Sequence, residues 1–181
     1  MIFKKNRLAI ALLALGGIAV SSTVAAGSAT GAFKVNITIL SACTVSAAVG
    51  TNDINFGSVN ANPTANLDQA EATPITVACS NTTPYVIDLT PASTNSTTGA
   101  GNMINGSVNV AYQLRQATGA SAAVWGNTGT VTGGVVTQGN GVQGVGTGLA
   151  NPASYTVYAT VASTDFAPNT YTDTVNVTVN Y

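Results

Sequence analysis

The sequence predicts an all-β protein, an antiparallel β-sandwich. Three observations predict it. Apolar and polar residues alternate strictly in several short runs, the pattern of strands with one buried face. The runs are separated by turn-rich text such as "SNTTP", "PASTNSTTGAGN" and "FAPNT". No stretch sustains a helical period, and the half-polar alternation argues against a parallel sheet buried on both faces.

The chain opens with "MIFKKNRLAIALLALGGIAVSSTVAAG". Lys4, Lys5 and Arg7 precede the apolar run Leu8 to Leu15, and Val24-Ala25-Ala26 offers small residues for cleavage. This is the pattern of a secretory signal peptide over 1–26, and the run is too short to span a bilayer. Cleavage after Ala26 leaves Gly27 to Tyr181, 155 residues, enough for one domain with a sizeable core.

That mature chain carries two cations, Lys34 and Arg115, against Asp53, Asp68, Glu71, Asp88, Asp165 and Asp173, for a net charge of −4. Without a basic patch, nucleic acid is excluded as a partner. So few charges require a surface of Thr, Ser, Asn, Gln and Gly, much of it suited to being covered by neighbours.

The first alternating run is "AFKVNITIL". Phe33, Val35, Ile37 and Ile39 fall on one face, and Lys34, Asn36 and Thr38 on the other. The reading left open at this point is whether the strand completes its own sheet or another molecule's. Cys43 follows. In an exported chain, Cys43 and Cys79 are expected to form one disulfide, with two free thiols the alternative. Closing the 36-residue separation is worth about 4 kcal/mol in the chain-entropy description.

Further alternation places Ile75, Val77 and Cys79 on one face, then Tyr85, Ile87 and Leu89, then Val108, Val110, Tyr112 and Leu114. "YTVYATV" predicts a strand through Tyr155, Val157, Ala159 and Val161. The closing run "YTDTVNVTVNY" sets Tyr171, Val175, Val177, Val179 and Tyr181 together, with Asp173 at the sheet's rim. Residues 126–148 are Gly-rich and predict a long flexible loop or a weak hairpin.

Candidate chemistry is sparse. "GNGVQG", Gly139 to Gly144, matches G-x-G-x-x-G, but Gly146, Gly148 and Pro152 prevent the helix that a dinucleotide loop requires. The chain has no histidine, which removes the commonest general base and metal ligand. A disulfide would consume both thiols, and a serine–lysine pair would need Lys34. Asp68 and Glu71 read as a solvated polar connection after Pro63, and six scattered carboxylates do not gather a calcium site. Trp125, Tyr112, Tyr158 and Phe166 could make a sugar platform, but core and rim packing is the favoured use. The chain therefore reads as a non-enzyme with no catalytic residues, no metal and no cofactor.

The order "ACTV" at Cys43, "INFGSV" at Ile54, "ITVAC" at Cys79, "PYVIDL" at Pro84, "GNMINGSVNVAYQL" at Gly101, "WG" at Trp125 and the terminal "YTDTVNVTVNY" resembles the spore coat protein U domain family. That family includes subunits of archaic chaperone–usher pili. The resemblance implies an immunoglobulin-like sandwich that lacks its last strand. It implies a periplasmic chaperone that supplies a strand temporarily, an outer-membrane usher, and head-to-tail polymers of identical or related subunits that serve attachment and biofilm formation. On this reading 27–42 is a donor segment and link and 43–181 is the pilin domain. Phe33, Val35, Ile37 and Ile39 are the donor residues, and Val175, Val177, Val179 and Tyr181 line the acceptor groove and pair with the chaperone. The alternatives are a spore or cell-surface coat protein of the same fold, and a monomeric secreted carbohydrate-binding sandwich. Adjacent chaperone and usher genes favour the pilus over the coat, whereas monomeric behaviour without a chaperone favours the carbohydrate-binding module.

Overall fold

The computed structural model describes residues 26–181, so the expected signal peptide lies outside the described residues except for Ala26. The chain divides into two compact units, residues 1–38 and 39–181. In the first unit, residues 26–38 belong to no helix or strand and are exposed throughout.

The second unit is built from antiparallel strands. β1 (Cys43–Ser46), β3 (Ile75–Cys79) and β10 (Ala153–Tyr155) form one sheet, in the order β1-β3-β10. β2 (Leu67–Ala70), β5 (Ala100–Asn105), β6 (Val108–Arg115) and β11 (Tyr158–Val161) form a second, in the order β2-β11-β6-β5. β4 (Pro84–Pro91), β9 (Val142–Val145) and β12 (Val175–Asn180) form a third, in the order β12-β4-β9. A small hairpin of β7 (Thr130–Thr132) and β8 (Val135–Thr137) completes the set. Its turn residues, Gly133 and Gly134, both have positive φ (57° and 78°), as a tight two-residue hairpin turn requires.

The inward residues of β3, β4, β6 and β11 make one core, the signature of a sandwich. Ile75, Val77 and Cys79 meet Tyr85, Ile87, Leu89, Val110, Tyr112, Leu114, Val157, Ala159 and Val161. Trp125 fastens the layers together. Its backbone N–H donates to Leu114 O at 3.0 Å, while the indole Nε1–H donates to Ile87 O at 2.9 Å. Trp125 and Tyr112 are buried, so they cannot present the sugar platform considered above.

The structure corrects four expectations. The run Tyr155–Val161 is two strands. β10 pairs with β3 and β11 pairs with β2 and β6, so the chain changes sheet between them. The alternation continues through the crossing, with Val157 still buried, and periodicity alone therefore conceals it. Glu71 is also no solvated loop residue. It is buried, and its Oε1 accepts the N–H groups of Ile75 (3.1 Å) and Val157 (2.9 Å), which anchors that crossing. Asp68 lies in β2, where Oδ2 accepts from Gly119 N–H at 2.6 Å and from the Thr118 hydroxyl.

The third correction concerns the closing strand, which is regular only over Val175–Asn180. Before it, Thr172 bridges to Ile104, and Asp173 accepts from the Tyr112 hydroxyl (2.7 Å) and from the Ser93 hydroxyl (2.6 Å). Burial, reinforced by that neighbouring carboxylate, raises the Tyr112 pKa above the usual phenol value. Burial and the 2.7 Å hydroxyl contact with Tyr85 do the same to Tyr155.

The fourth concerns the Gly-rich segment. It is not a long loose loop; the hairpin alternative holds for β7–β8, and Val142–Val145 pairs with β4. Its glycines lie against the outer face of β4. A Cβ on Gly129 would come within 2.5 Å of Val86 Cγ2 and 2.6 Å of Asp88 Oδ1. Val86 and Asp88 are thereby buried, and β4 is covered on both faces. Gly129→Ala is expected to cost about 1–3 kcal/mol through overpacking, read as a lower urea midpoint for the mature protein. An unchanged midpoint would mean the segment yields at no cost.

Asp88 is the charge trapped beneath that cover. Its Oδ1 accepts from Gly129 N–H at 3.2 Å, and its Oδ2 from Asn180 Nδ2–H at 2.9 Å. Burial raises its pKa, and the two hydrogen bonds only partly oppose the rise. Glu71 is raised for the same reason against its two backbone donors. The folded state therefore holds protons on these two groups more tightly than the unfolded state. Their contribution to stability is full below the ordinary carboxyl pKa values and is lost as pH rises through the raised folded values. We expect the urea midpoint to rise on going from about pH 7 to about pH 5, and to rise less in Asp88→Asn. An equal rise in both proteins would remove Asp88 from the account.

Candidate functional site

An incomplete sheet exposes two things, apolar side chains with no core of their own and backbone edges with no partner. Both are present. Phe33, Val35, Ile37 and Ile39 have relative exposures of 87%, 85%, 84% and 80%. These are strand-forming residues on one parity, yet they lie in no strand among the described residues.

The second feature lies in residues 39–181. Among the described residues, β12 pairs only with β4, in the register Val175↔Pro91, Val177↔Leu89 and Val179↔Ile87, and β1 pairs only with β3. These two edge strands approach each other, and each leaves one edge without a ladder. Val175, Val177 and Val179 pack against the core but stay half-buried, whereas Ile87 and Leu89 opposite them are fully buried. Tyr181 is exposed at the end of the same parity. β12 is therefore an edge strand with a half-buried apolar face.

The root of β1 is fixed covalently. Cys43 and Cys79 are directly opposed in the ladder, with Cα atoms 4.1 Å apart, and are bonded. Ala42 extends the pairing, since its N–H donates to Ser80 Oγ at 2.9 Å and its C=O accepts from Ser80 N–H at 2.8 Å. Mass spectrometry of the mature protein is expected to find no thiol open to alkylation before reduction. Reducing the bond is expected to cost about 2–5 kcal/mol, seen in the urea midpoint. Two reactive thiols without reduction would contradict the pairing.

Sequence reasoning singled out the apolar residues of both features. It missed Asn180, which ties the last strand to Asp88 and also donates to Gly129 O at 3.3 Å, and Ser80, which holds Ala42. Asn180 sits on the polar parity of its strand, which reads simply as solvent-facing. Neither residue has a signal in an unaligned sequence.

Compared with known proteins, residues 29–178 match the family described as Spore Coat Protein U domain. Among curated proteins no sequence matches significantly. Among solved structures, the chain is similar to one in the crystal structure of the CsuC–CsuE chaperone–tip adhesion subunit pre-assembly complex from archaic chaperone–usher Csu pili of Acinetobacter baumannii. Identity is 22% and the TM-score is 0.44, over 80% of this chain and 40% of that chain.

Proposed function

Starting from the fact that this chain belongs to the spore coat protein U domain family, we propose that it is a structural subunit of a surface pilus assembled by the chaperone–usher pathway through strand donation. The observation that carries this reading is the pairing of two unsatisfied features. Residues 33–39 present a strand's apolar face to water, and β12 presents a half-covered core and an open edge. Each supplies what the other lacks, and the match is to another copy's groove.

Residues 27–42 are then the donor segment and link, and 43–181 the pilin domain. Main-chain hydrogen bonds to an open edge give affinity, and alternate side chains entering the groove give register. Burying Phe33, Val35, Ile37 and Ile39 contributes about 6–12 kcal/mol gross, at 1.5–3 per side chain. Ordering and association costs reduce that figure. Donation of this kind is head-to-tail and does not close on itself, so it yields a filament.

Before assembly the open groove needs a substitute strand. A periplasmic chaperone supplies it, and an outer-membrane usher exchanges it for the next subunit's segment. The finished fibre stands on the cell surface and serves attachment and biofilm formation. The family's description also favours a second reading, a coat assembled by the same donation, and an adjacent chaperone–usher gene pair distinguishes the pilus from it. A ladder of SDS-resistant multimers in the unheated protein tests donation itself. A monomer under those conditions would overturn the reading.

A further inference from the structure

The sheet β2-β11-β6-β5 has an outer face as well as the one it turns to the core. Asp68 and Gln113 both oppose Thr160, one in the β11–β2 ladder and the other in the β11–β6 ladder, so the three share a face. Ala159 and Val161, on the other parity of β11, are buried in the core, which makes this face the outer one. Arg115 and Tyr158 oppose each other one pair further along it. Arg115 is the only cation of residues 43–181.

A cavity of about 270 Å³ opens on this face. Asp68, Gln113, Arg115 and Thr160 line it, together with Ala111, Ala120 and Ala162. The turn after β6 is pinned beside it from two sides. Asp68 Oδ2 accepts from Gly119 N–H at 2.6 Å, Arg115 Nη1–H donates to Ala122 O at 2.7 Å, and Ala120 lies between these two points. Polar capacity is left over. Arg115 Nε–H donates to Thr160 Oγ1 at 3.1 Å, but Nη2 has no partner among the described residues. The same holds for Asp68 Oδ1 and Gln113 Oε1. Arg115 and Asp68 line one cavity, yet each spends its bonds on the surrounding chain and not on the other.

These groups select a class of ligand. An anion drawn by Arg115 would meet the Asp68 carboxylate, and a cation drawn by Asp68 would meet the guanidinium. A hydroxyl both donates and accepts, so neighbouring hydroxyls satisfy the two together. The three alanines offer small apolar contacts to the C–H face of a ring. The volume lies below the roughly 300–1,000 Å³ of pockets that enclose drug-sized ligands, which limits the occupant to a single ring.

We propose that this cavity binds one neutral pyranose unit, with Asp68 Oδ1 and Gln113 Oε1 accepting from its hydroxyls and Arg115 donating to them. The site lies within β2, β6, β11 and the turn after β6, and it does not rest on strand donation. Repeated along a fibre, one such weak site per subunit would gain strength through multivalency. The plain alternative is that Asp68 and Arg115 only hold the turn.

Saturation-transfer NMR on the purified mature protein tests the site, with the methyl pyranosides of glucose, galactose, mannose and N-acetylglucosamine as probes. At least one is expected to receive saturation. Ala111 is exposed, so Ala111→Leu fills the cavity without removing a side-chain hydrogen bond, and it should abolish the transfer. Asn109→Leu, exposed on the same parity of β6 but outside the lining, should leave the transfer unchanged. Asp68→Asn should weaken binding about tenfold, the scale of one charge-assisted hydrogen bond. No transfer to any of the four probes would overturn the site and leave the turn-holding role. Undiminished transfer in Ala111→Leu, equal loss in Asn109→Leu, or full affinity in Asp68→Asn would also overturn it. The SDS ladder is read separately, so failure of this site and failure of strand donation are distinguishable.

Discussion

Ile37→Asp is expected to abolish surface polymer while leaving the amount of soluble chaperone–subunit complex unchanged. In the donation reading this residue serves only the neighbour. It is 84% exposed in its own chain, so a charge there costs its own fold nothing. In the neighbour's groove the same charge would be buried without a partner, at a cost of several kcal/mol. That removes a large part of the burial energy of the whole segment. Asn36→Asp, one residue away on the opposite parity, is expected to be nearly silent, because a single step along a strand reverses the face. Two quantities decide the matter for each variant, the yield of soluble complex and the yield of polymer. Retained complex with lost polymer for Ile37→Asp supports donation. Equal loss of both would place Ile37 in the subunit's own core. Equal tolerance at positions 36 and 37 would mean the segment is not inserted at all.

The alternation that makes this experiment sharp is also what made the strands legible. β3 and β4 bury the residues that their parity assigns inward, β6 does so at Val110, Tyr112 and Leu114, and the cysteines fall opposite each other in the β1–β3 register. Alternation reports which way a side chain points but not which sheet it points from. The crossing between Tyr155 and Tyr158 therefore left no trace, because the parity survives the change of partner. The Gly-rich segment was illegible for a different reason. It covers β4 with backbone rather than side chains, and glycines pressed against Val86 and Asp88 have the composition of a loop. The two buried carboxylates follow from the same blindness. Asp88 and Glu71 count as surface charges in any composition, and only the backbone N–H groups aimed at them in three dimensions show otherwise. For the candidate site, the apolar halves were readable from parity, whereas the polar fixings at Asn180 and Ser80 depend on contacts made across the fold.

Removing Val177 to Tyr181 is expected to prevent accumulation of any soluble chaperone–subunit complex. The truncation takes away Val177 and Val179, which pack against the core beside Leu89 and Ile87, and most of the ladder to β4. It also takes away Asn180, one of the two donors to Asp88, and leaves a buried carboxylate with Gly129 N–H alone. Removing one partner of a buried charged group costs about 1–3 kcal/mol or more. Exposing the inner edge of β4 adds an unpaired, apolar strand edge to that loss, which favours aggregation and proteolysis. Asn180→Ala separates the two effects. It keeps the strand and its apolar face and removes only the donor to Asp88, so it should lower the urea midpoint yet still yield complex and polymer. The truncation, by contrast, should leave only degraded protein, measured as loss of the subunit from periplasmic extracts that contain the chaperone. Normal recovery of the truncated chain with its chaperone would show that the last strand neither completes the core nor forms the edge at which a donated strand is received.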